Sequence, residues 1–143
     1  MEEAAGIKRS GSYRKTSKMK NPRKIAIIDD EYFILRLLSY ILEEEGYACS
    51  VASDGEEGLG LIKREKPDLV FLDINMPKMD GYQVCREIRL DPDIENIYVI
   101  TLTAMGQDVD QKASLEAGAN EYMLKPFNPK IIRKRVAEVL TVL

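Results

Sequence analysis

The sequence predicts an α/β fold, a (βα)5 doubly wound parallel sheet with helices on both faces. Three observations lead there. Strand-like and helix-like segments alternate five times after residue 23. The connections between them are short, which suits successive βα units packed on one sheet. The first strand, Lys24-Ile25-Ala26-Ile27-Ile28, is a β-branched run of the kind buried on both faces of a parallel sheet.

The elements follow in order. Residues 31–45 place Phe33, Ile34, Leu37, Leu38, Ile41 and Leu42 at helical spacing, and Gly46 follows as a C-cap. Residues 47–52 make the second strand. Ser53-Asp54 reads as the start and cap of a second helix, which begins near Gly55 and is ended by Lys66-Pro67. Gly58 and Gly60 inside it each cost about 1 kcal/mol against alanine, so this helix is expected to be soft. The third strand, 68–73, enters a loop from Asn75 to Gly81. A short helix over 82–89 stops at Asp91-Pro92. A strand over 97–102, a helix over 108–117, a strand over 121–124 and a helix over 128–140 complete the chain.

The 143 residues suffice for one compact domain and leave little for a second, and a 45% hydrophobic fraction can supply its core. Histidine is absent. That excludes Ser-His-Asp and Cys-His catalysis and any histidine-ligated zinc. Cys49 and Cys85 are too few for a thiolate zinc site and read as reduced, packed thiols, consistent with a cytoplasmic protein. The acidic N-terminus lacks a signal peptide's apolar stretch, and no run is long enough to span a membrane.

Charge is unevenly distributed. Residues 1–24 carry eight basic and two acidic side chains, net +6, so the whole-chain −3 leaves −9 for the remainder. Residues 1–22 are read as a basic, disordered tail and 23–143 as the folded domain, because Gly6 to Asn21 has almost no large apolar residues. With Tyr13 as its one aromatic residue and no helical apolar stripe, the tail reads as a solvated leader rather than a nucleic-acid or membrane arm.

In an open parallel sheet, ligands bind beyond the carboxyl ends of the strands. Here those ends deliver Asp29-Asp30, Asp73, Thr103 and Lys125-Pro126. If the first and third strands are neighbours, three carboxylates converge and repel by several kcal/mol, and Lys125 alone cannot balance them. A divalent ion held by oxygen would. Mg²⁺ suits a site offering few protein oxygens better than a caged Ca²⁺ does. Taken singly, each residue has a plainer reading: an aspartate as helix cap, Thr103 as a loop hydroxyl, Lys125 as a surface charge, Asp80-Gly81 as a turn. Their joint position at one sheet edge favours a site.

Four motifs carry a family resemblance: Asp29-Asp30-Glu31; Leu69-Val-Phe-Leu-Asp73-Ile-Asn-Met-Pro77-Lys-Met-Asp80-Gly81; Leu102-Thr103-Ala104; and Tyr122-Met-Leu-Lys125-Pro126-Phe127. From about Arg23 to Leu143 the chain resembles the CheY-like receiver domain of two-component response regulators. The resemblance implies the flavodoxin-like strand order 2-1-3-4-5, which the strand count leaves open. It implies Asp73 as phosphoryl acceptor, and Mg²⁺ held by Asp30, Asp73 and the backbone carbonyl of Asn75, with Asp29 acting through a metal-bound water. Thr103 and Lys125 would contact phosphoryl oxygens, Tyr122 would be the aromatic switch, and the Lys125–Pro126 bond would be cis. Residues Asn75 and Met105 occupy positions that tune the acyl phosphate's lifetime in the family.

The resemblance further implies a histidine kinase or histidine phosphotransfer protein as donor, and a downstream protein target or fused output domain reached through the 108–140 face. Activation-dependent homodimerisation through the last elements is left open. The expected role is a phosphoprotein in a phosphorelay, not a turnover enzyme. Alternatives weigh less. A haloacid-dehalogenase-type phosphohydrolase needs an Asp where Asn75 stands, and an FMN carrier needs a hydroxyl-rich loop where Asp29-Asp30-Glu31 would repel phosphate. The −9 body disfavours nucleic acid as the main partner. A degenerate receiver serving as a phosphorylation-independent scaffold is the remaining alternative.

Overall fold

The computed structural model describes residues 21–104, 108–125 and 127–142. Expectations for the tail up to residue 20, for Met105 and for the Lys125–Pro126 bond fall outside this set. Five strands, β1 (Lys24–Ile28), β2 (Ala48–Ala52), β3 (Leu69–Asp73), β4 (Tyr98–Thr103) and β5 (Glu121–Leu124), alternate with five helices. These are α1 (Tyr32–Glu44), α2 (Gly55–Glu65), α3 (Gly81–Leu90), α4 (Asp108–Ala117) and α5 (Pro129–Val142). The sheet is parallel throughout, in the order β2-β1-β3-β4-β5. This is the doubly wound, flavodoxin-like order, and its switch point lies between β1 and β3.

Strand alternation divides the core in two. On one face Ile25, Ile27, Leu69, Phe71, Ile100 and Leu102 pack against α1 and α5. Helix α1 contributes Ile34, Leu35, Leu38, Ile41 and Leu42, the stripe a 3.6-residue period requires. On the other face Ala26, Ile28, Val70, Leu72 and Val99 meet α2, α3 and Ala117 at the end of α4. Each large side chain so buried contributes about 1.5–3 kcal/mol of transfer free energy.

The helix boundaries have local causes. Asp54 caps α2 by accepting the Glu57 amide at 2.8 Å, and Gly46 leaves α1 with a φ of 96°. A reciprocal capping box opens α3: Asp80 accepts from the Gln83 amide, and the Gln83 side chain accepts from the Asp80 amide. The strand read as ending at residue 102 runs one residue further, taking Thr103 into β4.

The two glycines of α2 differ in kind. A Cβ on Gly58 would lie 2.5 Å from Ile28 Cγ2, so its absence lets α2 settle on β1. A Cβ on Gly60 would meet nothing within 4 Å. Only Gly60 is a net cost to the helix.

Candidate functional site

Because β1 and β3 are adjacent, Asp29 and Asp73 leave neighbouring strands at the carboxyl edge of the sheet. Asp29 is fully buried, and Asp73 is 4% exposed. The Asp29 amide donates to the Ala52 carbonyl at 3.1 Å, extending the ladder and aiming the side chain over the rim. One Asp29 oxygen accepts the Glu31 amide at 2.8 Å, and the other lies 2.8 Å from Lys125 Nζ. Asp30 follows on the exposed side of the rim.

Asp73 Oδ1 accepts the Asn75 amide at 3.3 Å. Lys125 Nζ stands 3.7 Å from the same Asp73 oxygen and 3.8 Å from Glu31 Oε1. The lysine is positioned by backbone pairing, since its amide donates to the Thr103 carbonyl at 2.8 Å and so prolongs β5 along β4. One oxygen from each of Asp29, Asp30 and Asp73 lies within 4.8 Å of the others. At an effective dielectric near 20, a pair of carboxylates at that distance repels by about 3–4 kcal/mol.

The electrostatics follow. Burial pushes the Asp73 carboxyl up to about 7, and the Asp29 charge pushes the same way against the pull of Lys125. Burial also raises Asp29, opposed by Lys125 and the Glu31 amide. Burial alone would lower Lys125, yet Asp29, Asp73 and Glu31 together hold its ammonium above the usual lysine range. Three carboxylates thus share one full cation, and the donor set is all oxygen. That fits a small divalent ion such as Mg²⁺, with Asp29, Asp30 and Asp73 each offering a carboxylate oxygen.

Thr103 is 2% exposed at the end of β4, and Tyr122 is half-buried in β5. Strand parity separates these two from the acids. Asp29, Asp73 and Lys125 continue the alternation of the α1/α5 face, whereas Thr103 and Tyr122 belong to the opposite face. Asn75 lies exposed in the loop after β3, with its amide turned to Asp73.

That loop is braced by contacts the sequence did not reveal. Lys78 adopts a left-handed φ of 70°, and its ammonium sits 3.5 Å from Asp54 Oδ2 at the start of α2. A Cβ on Gly81 would fall 2.4 Å from the Asp73 carbonyl oxygen, so only glycine lets α3 begin directly beneath the acceptor strand. Glu31, quoted in a motif without a role, joins the carboxylates around Lys125. Arg89, at the far end of α3, donates to the carbonyls of Gly118, Glu95 and Ile97 and to Asn120 Oδ1 at 2.7–2.8 Å. No short motif announces such an anchor.

Comparison with known proteins supplies the family. The response regulator receiver domain matches residues 25–137. The chain is 47% identical over 122 residues to "Probable transcriptional regulator ycf27" of Guillardia theta, covering 85% of this chain and 47% of that protein. It therefore spans about half the length of the curated relatives it matches. Among solved structures, chemotaxis protein CheY4 of Vibrio cholerae superposes with a TM-score of 0.79 at 27% identity, covering 83% of this chain and 99% of that one. The CheX–CheY–BeF3–Mg complex of Borrelia burgdorferi gives 0.77 at 34% identity, covering 83% and 90%. Among the described residues no helix is long and apolar enough to cross a membrane. The sheet order, the acidic rim and the match over most of the chain agree: this chain belongs to the response regulator receiver-domain family of two-component signalling.

Proposed function

We propose that this domain accepts a phosphoryl group on Asp73 from a histidine kinase or histidine phosphotransfer protein and uses the modification to alter its 108–140 face. The observation that carries the reading is the buried Asp73 facing Lys125, beside Asp29 and Asp30, at the rim of the sheet. A bound Mg²⁺ would supply positive charge to the phosphoryl oxygens. An Asp73 oxygen attacks phosphorus, the P–N bond to the donor imidazole breaks, and an acyl phosphate remains on Asp73.

The chain's own groups serve that exchange. Lys125 can turn from Asp73 to a phosphoryl oxygen while keeping its 2.8 Å pair with Asp29. Thr103, on the neighbouring strand end, offers a hydroxyl to another oxygen. With no histidine of its own, the chain depends on an external donor. Each domain gains and loses its own phosphoryl group, so it acts as a switch and not as a turnover enzyme. A longer protein of this kind would carry a transcriptional output, as the names of its curated relatives say of them.

The test is intact mass after incubation with Mg²⁺ and acetyl phosphate. Wild type should gain one phosphoryl group, and Asp73→Asn should gain none. Unmodified wild type under these conditions overturns the reading in favour of a phosphorylation-independent scaffold.

A further inference from the structure

Five polar or charged side chains are buried among the described residues: Asp29, Asp73, Thr101, Thr103 and Ser114. Three belong to the site. The other two bond to each other, with Thr101 Oγ1 donating to Ser114 Oγ at 2.8 Å, and both are essentially inaccessible to water. A buried hydroxyl pair amid apolar packing contributes little net stability but penalises any rearrangement that leaves one partner alone.

Its position gives it a further use. Thr101 is two residues before Thr103, so both project from the same face of β4. It is also the lateral partner of Tyr122 on β5. Ser114 lies on α4, whose residues 111–117 bury, besides Ser114, only Ala117, while Leu115 is 52% exposed. Apolar packing over this stretch is thin. Among the described residues, the hydroxyl pair is a side-chain hydrogen bond that ties α4 to the strand carrying Thr103.

We propose that the Thr101–Ser114 pair is a latch that fixes the resting position of α4, so that its strength governs how readily phosphorylation at Asp73 is passed to the 108–140 face. This rests on the function proposed above. A Thr103 drawn toward a phosphoryl group pulls the end of β4, and that displacement breaks the adjacent hydroxyl pair and releases α4. Tyr122 is the register partner of Thr101 on β5 and shares its face of the sheet. The latch opposes the activated arrangement, and weakening it favours that arrangement.

The experiment uses the full chain as wild type, Ser114→Ala, Thr101→Val with Ser114→Ala, and Thr101→Ser, which keeps the hydroxyl. Amide hydrogen exchange of α4 is followed without phosphodonor, and BeF3 binding with Mg²⁺ is titrated in parallel. Both latch-less variants should exchange α4 amides about 2- to 10-fold faster, with β1 and β3 unchanged, and bind BeF3 tighter by a similar factor, the equilibrium change expected from one net hydrogen bond. Thr101→Ser should behave as wild type. Folded latch-less variants with wild-type α4 exchange and wild-type BeF3 affinity overturn the latch alone. Wild type that takes neither BeF3 nor a phosphoryl group overturns the functional reading and the coupling with it. Should Ser114→Ala unfold the domain, the double variant, which leaves no buried hydroxyl unpaired, decides the matter.

Discussion

Replacing Asp73 by asparagine removes a charge that the fold holds at a loss. The carboxyl is raised from 3.8 to about 7, by burial first and by the Asp29 charge second. A folded-state value above the unfolded one means that the native protein binds more protons than the unfolded chain between these two values. Stability therefore falls as pH rises from about 4 to 7, and the penalty is complete above 7. A displacement of about 3 units corresponds to about 4 kcal/mol, which sets the upper limit of the gain on neutralising the side chain. Local relaxation and the loss of Asp73's contact with Lys125 bring the expected gain nearer 2 kcal/mol, a rise in Tm of roughly 5–10 °C. The assay is thermal and urea unfolding of wild type and Asp73→Asn in EDTA at pH 4 and pH 7.5. The variant should gain at pH 7.5 and lose its advantage at pH 4, and saturating Mg²⁺ should narrow the gap by stabilising wild type. A variant no more stable than wild type at pH 7.5 without metal would refute the view that the acidic rim is held against electrostatic cost.

Three further perturbations test the surroundings. Lys125→Met leaves Asp29 buried without its cation and should cost about 3–5 kcal/mol at pH 7, shrinking as falling pH protonates Asp29, measured by urea unfolding across pH. Gly60→Ala should stabilise by about 1 kcal/mol, whereas Gly58→Ala should destabilise through its clash with Ile28; equal effects of the two would refute the distinction between them. Arg89→Ala removes four hydrogen bonds and should cost about 2–4 kcal/mol in urea unfolding, with a loss below about 0.5 kcal/mol contradicting its role as an anchor.

Much of this architecture is local and so legible in the chain. The β-branched run of β1, the stripe of α1 and the Asp54 cap depend on residues close in sequence, and each forms where its pattern predicts. Strand order is not local. The alternation of elements leaves it open, and the family motifs supplied it. The convergence of Asp29, Asp73 and Lys125 became readable once β1 and β3 were neighbours, because all three stand at strand ends. Arg89's partners lie in loops whose paths the sequence does not specify, and Lys78 and Glu31 themselves stand on such connections, so none of the three was readable as a contact. Thr101 could have been noticed from its parity with Thr103, but pairing it with Ser114 requires the placement of α4 on the sheet.

The Arg89 anchor has a mechanical consequence. Its acceptors precede β4 and β5, at the edge opposite the acids, so one side chain on α3 ties the entries of both strands together. The strands that deliver Thr103 and Lys125 to the rim therefore share a single root: both start from backbone held by the same guanidinium, and both are paired to each other along the sheet. Whatever shifts α3 at that end reaches β4 and β5 together.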